Sequence, residues 1–328
     1  MVGSTRPIAC SGPVALTGAG GFVGSRILHK LLDHGFLVKA LRFQRNLPDH
    51  DNLEKIPGNF DDSASLRELV AGTQAVVHCG GIVSARSARE FFKINSQGTA
   101  NLIEALTDLE APRLLYISSL AAREPQLSPY AASKNAAEKI LAESLLQSWD
   151  VLRPPAVYGP GDLQLLPLLR LLKHRVGVLP AGRQARVSVV YVDDLADAVC
   201  GWLEQGGAKN KIYEIADGQV DGYTWHALLS EAARLMNVRP VYFSPPFVVL
   251  RALVGAMTFV SRGTGQTPFL SAGKLRELTH QDWVCQSDEL EHDVGWSAQT
   301  DFQVGIEKTL RWYQHEGMIS NMNIDRVP

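Results

Sequence analysis

Three glycines, Gly18, Gly21 and Gly24, stand where an apolar run changes into a helical repeat. Val14-Ala15-Leu16 lead into Thr17, and beyond the glycines Ile27, Leu28, Leu31 and Leu32 recur at helical spacing, so the stretch predicts strand, tight turn and helix. Gly18 permits the turn, Gly21 lets backbone N–H groups reach a pyrophosphate at the positive end of the helix, and Gly24 lets the helix close onto the strand. Glycines so spaced also occur in loops that bind nothing. Placement between a strand and a helix favours a dinucleotide, and with it a parallel sheet carrying helices on both faces.

The 328 residues suffice for one α/β domain and a smaller lobe. Formal net charge is −2 and the basic residues are scattered, which argues against a nucleic-acid partner. Cys10, Cys79, Cys200 and Cys285 lie far apart, with no CxxC and no histidine at metal spacing. They read as structural thiols in a reducing compartment, and no metal site is expected. Residues 1–12 lack a continuous apolar core, so no signal peptide is expected and the location expected is cytoplasmic.

After Gly35, Phe36 to Phe43 predicts a second strand ending in Leu41-Arg42-Phe43. An acidic residue about 20 positions past the glycines binds a ribose 2′-OH, whereas an arginine accommodates a 2′-phosphate. Arg42 holds this place, and the nearest carboxylate, Asp49, lies well into the next loop. Arg42 is thus either a 2′-phosphate partner, which favours NADP over NAD, or a solvated strand end. Asn59 and Phe60 could meet an adenine edge, while Asp61 or Asp62 could equally cap the helix bearing Leu66, Leu69 and Val70. Ala75-Val76-Val77-His78-Cys79-Gly80 is a buried strand running into glycine at its ligand-facing end, with His78 read as a core histidine. Leu114 to Ser119 predicts another strand, with Ser118 and Ser119 at its carboxyl end. Ser128 and Pro129 then start a helix in which Tyr130 and Lys134, four apart, share a face. An ammonium beside a phenol lowers the phenol's pKa toward working pH, and Ser119 adds a hydroxyl able to hold a substrate carbonyl oxygen.

Thr17-Gly18-x-x-Gly21-x-x-Gly24, Asn95, Ser119, Tyr130-x-x-x-Lys134 and Arg153-Pro154-Pro155-Ala156-Val157-Tyr158-Gly159-Pro160-Gly161-Asp162 together resemble the extended short-chain dehydrogenase/reductase family, also called the NAD-dependent epimerase/dehydratase family. The likeness runs from Val14 to about Tyr313. It implies an α/β fold, a doubly wound parallel Rossmann sheet with a smaller C-terminal substrate-binding lobe. Residues 1–155, completed by parts of 185–218, would form the dinucleotide-binding domain, and 156–328 mainly the substrate lobe. The resemblance also implies a nicotinamide cofactor, NADP preferred or NAD. Ser119, Tyr130 and Lys134 would be catalytic, with Asn95 supporting the proton relay. Phe22, Val23, Cys79, Gly80, Ser118, Pro154 and Val157, along with Tyr130 and Lys134, would line the cofactor. Asn59 stands where the family commonly has Asp, which puts the adenine contact in doubt.

Sugar-nucleotide epimerases of the family carry an asparagine that helps to hold the diphosphate where this chain has Ala156, although Arg186 matches an arginine of those enzymes. Ser119-Leu120-Ala121 lacks the Asp-Glu pair of the dehydratases. Phe247 to Val260 is apolar except for Arg251 and too short for a bilayer span, so it is read as a buried or pocket-lining helix in preference to a membrane contact. Helices Ala88 to Leu109 and Tyr130 to Ser148 resemble the family's dimer interface, which implies a homodimer. The expected activity is an NAD(P)-dependent hydride transfer between nicotinamide and a secondary alcohol or ketone, on an apolar small-molecule substrate. A nucleotide-sugar epimerase with tightly held NAD is the alternative, and a non-catalytic nucleotide-binding protein a third.

Overall fold

The computed structural model describes residues 12–107, 113–205, 208–264 and 270–319. Cys10, Leu109 and the tail from Asn321 lie outside them. β1 (Val14–Thr17) enters the glycine turn and α1 (Phe22–Asp33) leaves it. β2 (Val38–Arg42), β3 (Leu53–Pro57), α2 (Ser63–Val70) and β4 (Ala75–His78) follow. Asp62, not Asp61, caps α2, accepting from the N–H groups of Ala64 and Ser65. Next come α3 (Ala88–Phe91), a π-helical turn at Phe92–Gln97, and α4 (Gly98–Thr107). β5 (Arg113–Ile117), a 3₁₀ turn at Leu120–Arg123, α5 (Pro129–Ala142) and β6 (Trp149–Arg153) complete this half.

The second half contains β7 (Ala156–Tyr158), α6 (Leu166–Lys173), β8 (Val176–Val178), β9 (Arg186–Val187) and β10 (Val189–Tyr191). After these come α7 (Val192–Gln205), β11 (Ile212–Glu214), β12 (Tyr223–Thr224), α8 (Trp225–Leu235) and β13 (Val241–Phe243). α9 (Phe247–Thr264), α10 (Ala272–Thr279), β14 (Asp282–Trp283), α11 (Asp288–Val294) and α12 (Phe302–His315) end the described chain.

Seven parallel strands form the main sheet in the order β3-β2-β1-β4-β5-β6-β11. Val14, Ala15 and Leu16 are buried, as are Ala75, Val76 and Val77, because helices cover both faces. One face packs on α1, α7 and α11 through Ile27, Leu31, Leu195, Val199 and Leu290. The other packs on α2, α4 and α5 through Leu66, Leu69, Leu102, Leu106 and Leu141. A further core under β7, β9 and β10 is built from α6, α8 and α12. The strand order reverses between β1 and β4, the point where ligands bind in doubly wound sheets.

Several boundaries differ from the sequence reading. The second strand is shorter, and Phe43 beyond it is 67% exposed. The helix carrying Tyr130 ends at Ala142 instead of Ser148, and Ala88 to Leu109 is interrupted by the π turn. Val187 to Val190, whose valines predict one strand, is two: β9 pairs with β12 and β14, whereas β10 pairs with β7, and Ser188 between them bonds to Cys285. The largest correction concerns Phe247 to Val260. The helix forms, but among its described side chains Phe247, Val248, Val249 and Leu253 are exposed while Val254 is buried, so its first two turns are not a buried element.

A Cβ at Gly24 would sit 2.0 Å from the Gly18 carbonyl oxygen. Gly24→Ala must therefore push α1 off the turn. Its expected cost is about 1–3 kcal/mol of stability, the usual range for overpacking, together with at least a tenfold loss of nucleotide affinity. Thermal melts and a cofactor titration check both, and parental affinity would show that the close approach is dispensable.

Candidate active site

At the carboxyl edge of the sheet the backbones of β1 and β4 come into contact. Gly18 adopts φ +77, and a Cβ there would lie 2.6 Å from both Cys79 C and Gly80 N. Gly21 occupies the N-cap of α1 in extended conformation with no side chain capping the helix, leaving the N–H groups around Phe22 and Val23 without a side-chain acceptor. Donors at the positive end of a helix, approached through glycine, fit a dinucleotide diphosphate.

Behind this cradle runs a buried hydrogen-bond chain. Gly80 N–H donates to Thr17 Oγ1 (3.0 Å), which meets His78 Nδ1 at 2.6 Å, and His78 Nε2 meets Thr99 Oγ1 at 2.9 Å. Thr99 gives its own proton to Asn95 O (2.6 Å), so His78 carries hydrogen on Nε2 and accepts from Thr17 at Nδ1. Burial lowers His78 to about 3, with Lys134 acting in the same direction, so the ring is neutral and structural.

Arg42 ends β2, and Arg45 Nη1 donates to Gly20 O at 2.9 Å, bringing its guanidinium to the glycine turn. Asp49 is ion-paired with Lys55 and does not take part. Phe60 is half-buried and packs edge-on to His78 at 5.4 Å, close under Gly80 and Gly98. Asn59 Oδ1 accepts from Asp61 N–H at 2.7 Å. Cys79 is half-buried, and burial raises its thiol to about 11. Ser118 donates to Glu138 Oε1 at 2.5 Å, so its hydroxyl is committed to an internal pair. Pro154 is buried and accepts from Leu120 N–H, while Val157 packs half-buried against the main core.

Ser128 Oγ accepts from Ala131 N–H and Pro129 opens α5, which sets Tyr130 in the first turn. Ser119 Oγ accepts from Ala121 N–H (3.2 Å) and hydrogen-bonds to Tyr130. Lys134 is 5% exposed and donates to Ile117 O at 2.8 Å and to Tyr116 OH at 3.2 Å, with Nζ 4.7 Å from the Tyr116 ring centre. Asn95 lies in the π turn and uses its whole amide: Oδ1 accepts from Ile82 N–H (2.8 Å), and Nδ2 donates to Ile82 O (3.0 Å) and Ser133 Oγ (2.9 Å). It positions the Gly81–Ile82 loop against α5. Glu138, clamped by Arg153 through Nε at 3.0 Å and Nη2 at 2.5 Å, braces Ser118 from below the site.

Sequence reasoning missed Tyr116, Ser133, Glu138 and the role of Arg45. Tyr116 reads as one more apolar residue of a buried strand, and only the pairing of β5 with β4 and its facing of α5 reveal its hydroxyl as the partner of Lys134.

The model for the NAD dependent epimerase/dehydratase family matches residues 14–216, more than half the chain. The chain belongs to this family. It is 32% identical over 317 residues to a ceramide reductase of Caulobacter vibrioides, covering 94% of this chain and 96% of that one. It is 27% identical over 242 residues to a 3 beta-hydroxysteroid dehydrogenase/Delta 5-->4-isomerase of Mycobacterium tuberculosis, covering 63% of this chain and 65% of that one. Among solved structures, MoeE5 in complex with UDP-glucuronic acid and NAD superposes with a TM-score of 0.71 at 22% identity, covering 93% of this chain and all of that one. That likeness is one of fold.

For a member of the NAD-dependent epimerase/dehydratase family, the electrostatics depart from the expectation that Lys134 draws the phenol toward neutrality. Burial holds Tyr130 above its ordinary value, opposed only by its bond to Ser119, while the Lys134 ammonium is turned to Ile117 O and Tyr116. Tyr130 is thus protonated at working pH. Lys134 itself is lowered by burial from 10.5 to about 8, partly offset by Cys79 and Glu138. Between these two pH values the unfolded chain binds the lysine proton and the folded chain releases it, so this group's contribution to stability rises with pH across that window. The expected outcome is that the parent gains about 2–4 °C in Tm relative to Lys134→Met from pH 8 to 10.5. A Tm difference independent of pH would show that burial does not perturb this lysine.

Proposed function

We propose that this chain is a reductase that converts a ketone of an apolar, ceramide-class lipid to the secondary alcohol, with NADP as its preferred cofactor. The observation that carries the proposal is the Ser119–Tyr130 hydroxyl pair, with Tyr130 kept protonated and a buried Lys134 one helical turn further on. When bound, the nicotinamide supplies hydride to the carbonyl carbon. Ser119 orients the carbonyl oxygen and Tyr130 gives it a proton, so that hydride and proton together account for the alcohol, with Lys134 assigned to the nicotinamide ribose. Tyr116 and Ile117 O hold Lys134 in place for that role. The division of labour proposed with it assigns the cofactor to residues 1–155 and parts of 185–218, and the substrate mainly to 156–328.

The substrate class is supported by end-to-end similarity to the ceramide reductase and by the region where a sugar diphosphate would need partners. Ala156 offers none, and Arg186 is exposed with Nη1 donating to Asp221 O at 3.1 Å. Burying a diphosphate with too few partners is costly. Cofactor preference is supported by Arg42 at the end of β2 and Arg45 at the glycine turn, with no carboxylate between residues 42 and 48.

Reduction of long-chain ketone substrates, followed by cofactor absorbance, tests the activity. Tyr130→Phe is expected to lower turnover by about 10²–10⁴ with nucleotide affinity nearly unchanged, the usual worth of a positioned acid. Turnover within a few-fold of the parent would remove Tyr130 from the mechanism. Separately, Arg42→Asp is expected to shift the ratio of dissociation constants from NADP toward NAD by roughly tenfold or more, since it exchanges a phosphate partner for a hydroxyl acceptor. An unchanged ratio would leave Arg42 as a solvated strand end.

A further inference from the structure

The basic residues, scattered when the chain is read as a whole, include two stretches free of acidic residues, although Arg234 and Lys274 pair with Glu231 and Glu277 just outside them. Residues 163–192 and 232–276 hold eleven Lys and Arg and no Asp or Glu, in a chain where acids outnumber these bases 34 to 32. The fold brings the two segments together. β8 pairs with β13, Val176 opposite Val241 and Val178 opposite Phe243, and Arg175 O accepts from Val241 N–H at 2.9 Å. Arg175, Arg239 and Arg251 are all exposed there, as is His174.

The second of these segments also carries a run of exposed apolar side chains. Val241 (75%) and Phe243 lie on β13, and Phe247, Val248 (76%), Val249 and Leu253 on the first two turns of α9, joined by Pro245-Pro246. No helix among the described residues is long and apolar enough to cross a membrane. An apolar helix face flanked by cations is suited to lie in the headgroup region of a bilayer, aliphatic side chains inserted and guanidinium groups on the lipid phosphates. Nucleic acid would match the cations and leave the valines, leucine and phenylalanines without purpose.

We propose that β13 and α9 dock this protein on an anionic lipid surface. The inference rests on surface charge and apolar exposure alone and holds whichever reaction Tyr130 serves. α9 packs on α10, whose Gly273 lies so close to the start of α5 that a Cβ there would be 2.8 Å from Ser128 Cβ, and Glu277 of α10 hydrogen-bonds Ser128. α10 thereby links the helix that carries the docked face to the turn that bears Tyr130.

Co-sedimentation of the full chain with vesicles of phosphatidylcholine alone, or containing about 30 mol % phosphatidylglycerol, tests it. Binding is expected to the anionic vesicles and to weaken at high salt. Val248→Glu combined with Leu253→Glu is expected to reduce it at least tenfold, and Arg175→Glu combined with Arg239→Glu to remove the preference for phosphatidylglycerol. All four positions are exposed, so the melting temperature should stay near the parent's and separate lost docking from lost folding. Absence of binding to the anionic vesicles overturns the proposal, as does binding that survives Val248→Glu with Leu253→Glu. A solution dimer abolished by that pair, without vesicle binding by the parent, also overturns it and makes the face a self-interface.

Discussion

The site is organised around one buried ammonium. Taking Lys134 out of water costs several kcal/mol unless its protons are met, and they are met by the last carbonyl of β5 and by the hydroxyl and ring face of Tyr116. Both partners come from β5, so the position of Nζ is inherited from sheet register. That register sets Tyr116 beside His78, their rings stacked at 5.2 Å, and His78 in turn bonds to Thr17 at the start of the glycine turn. The wall that holds Lys134 is therefore continuous with the wall of the glycine cradle. A shift of one strand would disturb both.

Much of this arrangement is legible in the sequence where the physics is local. A strand-turn-helix with glycines at 18, 21 and 24 announces itself, because backbone contact between Gly18, Gly24 and Gly80 tolerates no Cβ. The Ser128-Pro129 start of α5 and the shared face of Tyr130 and Lys134 follow from helix geometry alone. What fails is whatever depends on a distant partner. The π turn that sets Asn95 depends on its packing against α5, and the split at Ser188 on Cys285. The direction of the Tyr130 shift was misjudged because spacing says who shares a face but not where an ammonium finds its acceptors. Ile117 O and Tyr116 OH claim Lys134, and desolvation then dominates the phenol.

The apolar run at Phe247 shows the same limit in another form. Composition identifies a helix with too many valines and leucines for ordinary solvent, and the natural inference from composition is burial. Burial needs a covering element, and among the described residues β13 and the first two turns of α9 leave Val241, Val248 and Leu253 outside. Contiguous exposed apolar area of this kind carries a penalty in water unless something non-aqueous meets it.

An apolar substrate poses a physical problem that a sugar nucleotide does not, since its concentration lies in the membrane and its reactive group must be brought to a site framed by polar hydroxyls. The fold places an answer along a short mechanical path. α9 carries the apolar surface, α10 rests on it, and Glu277 and Gly273 of α10 hold the Ser128-Pro129 turn. Tyr130 is the next residue. Packed backbone and one buried carboxylate thus link α9 to the turn that bears Tyr130, so the proposed lipid surface and the proposed proton chemistry are parts of one scaffold.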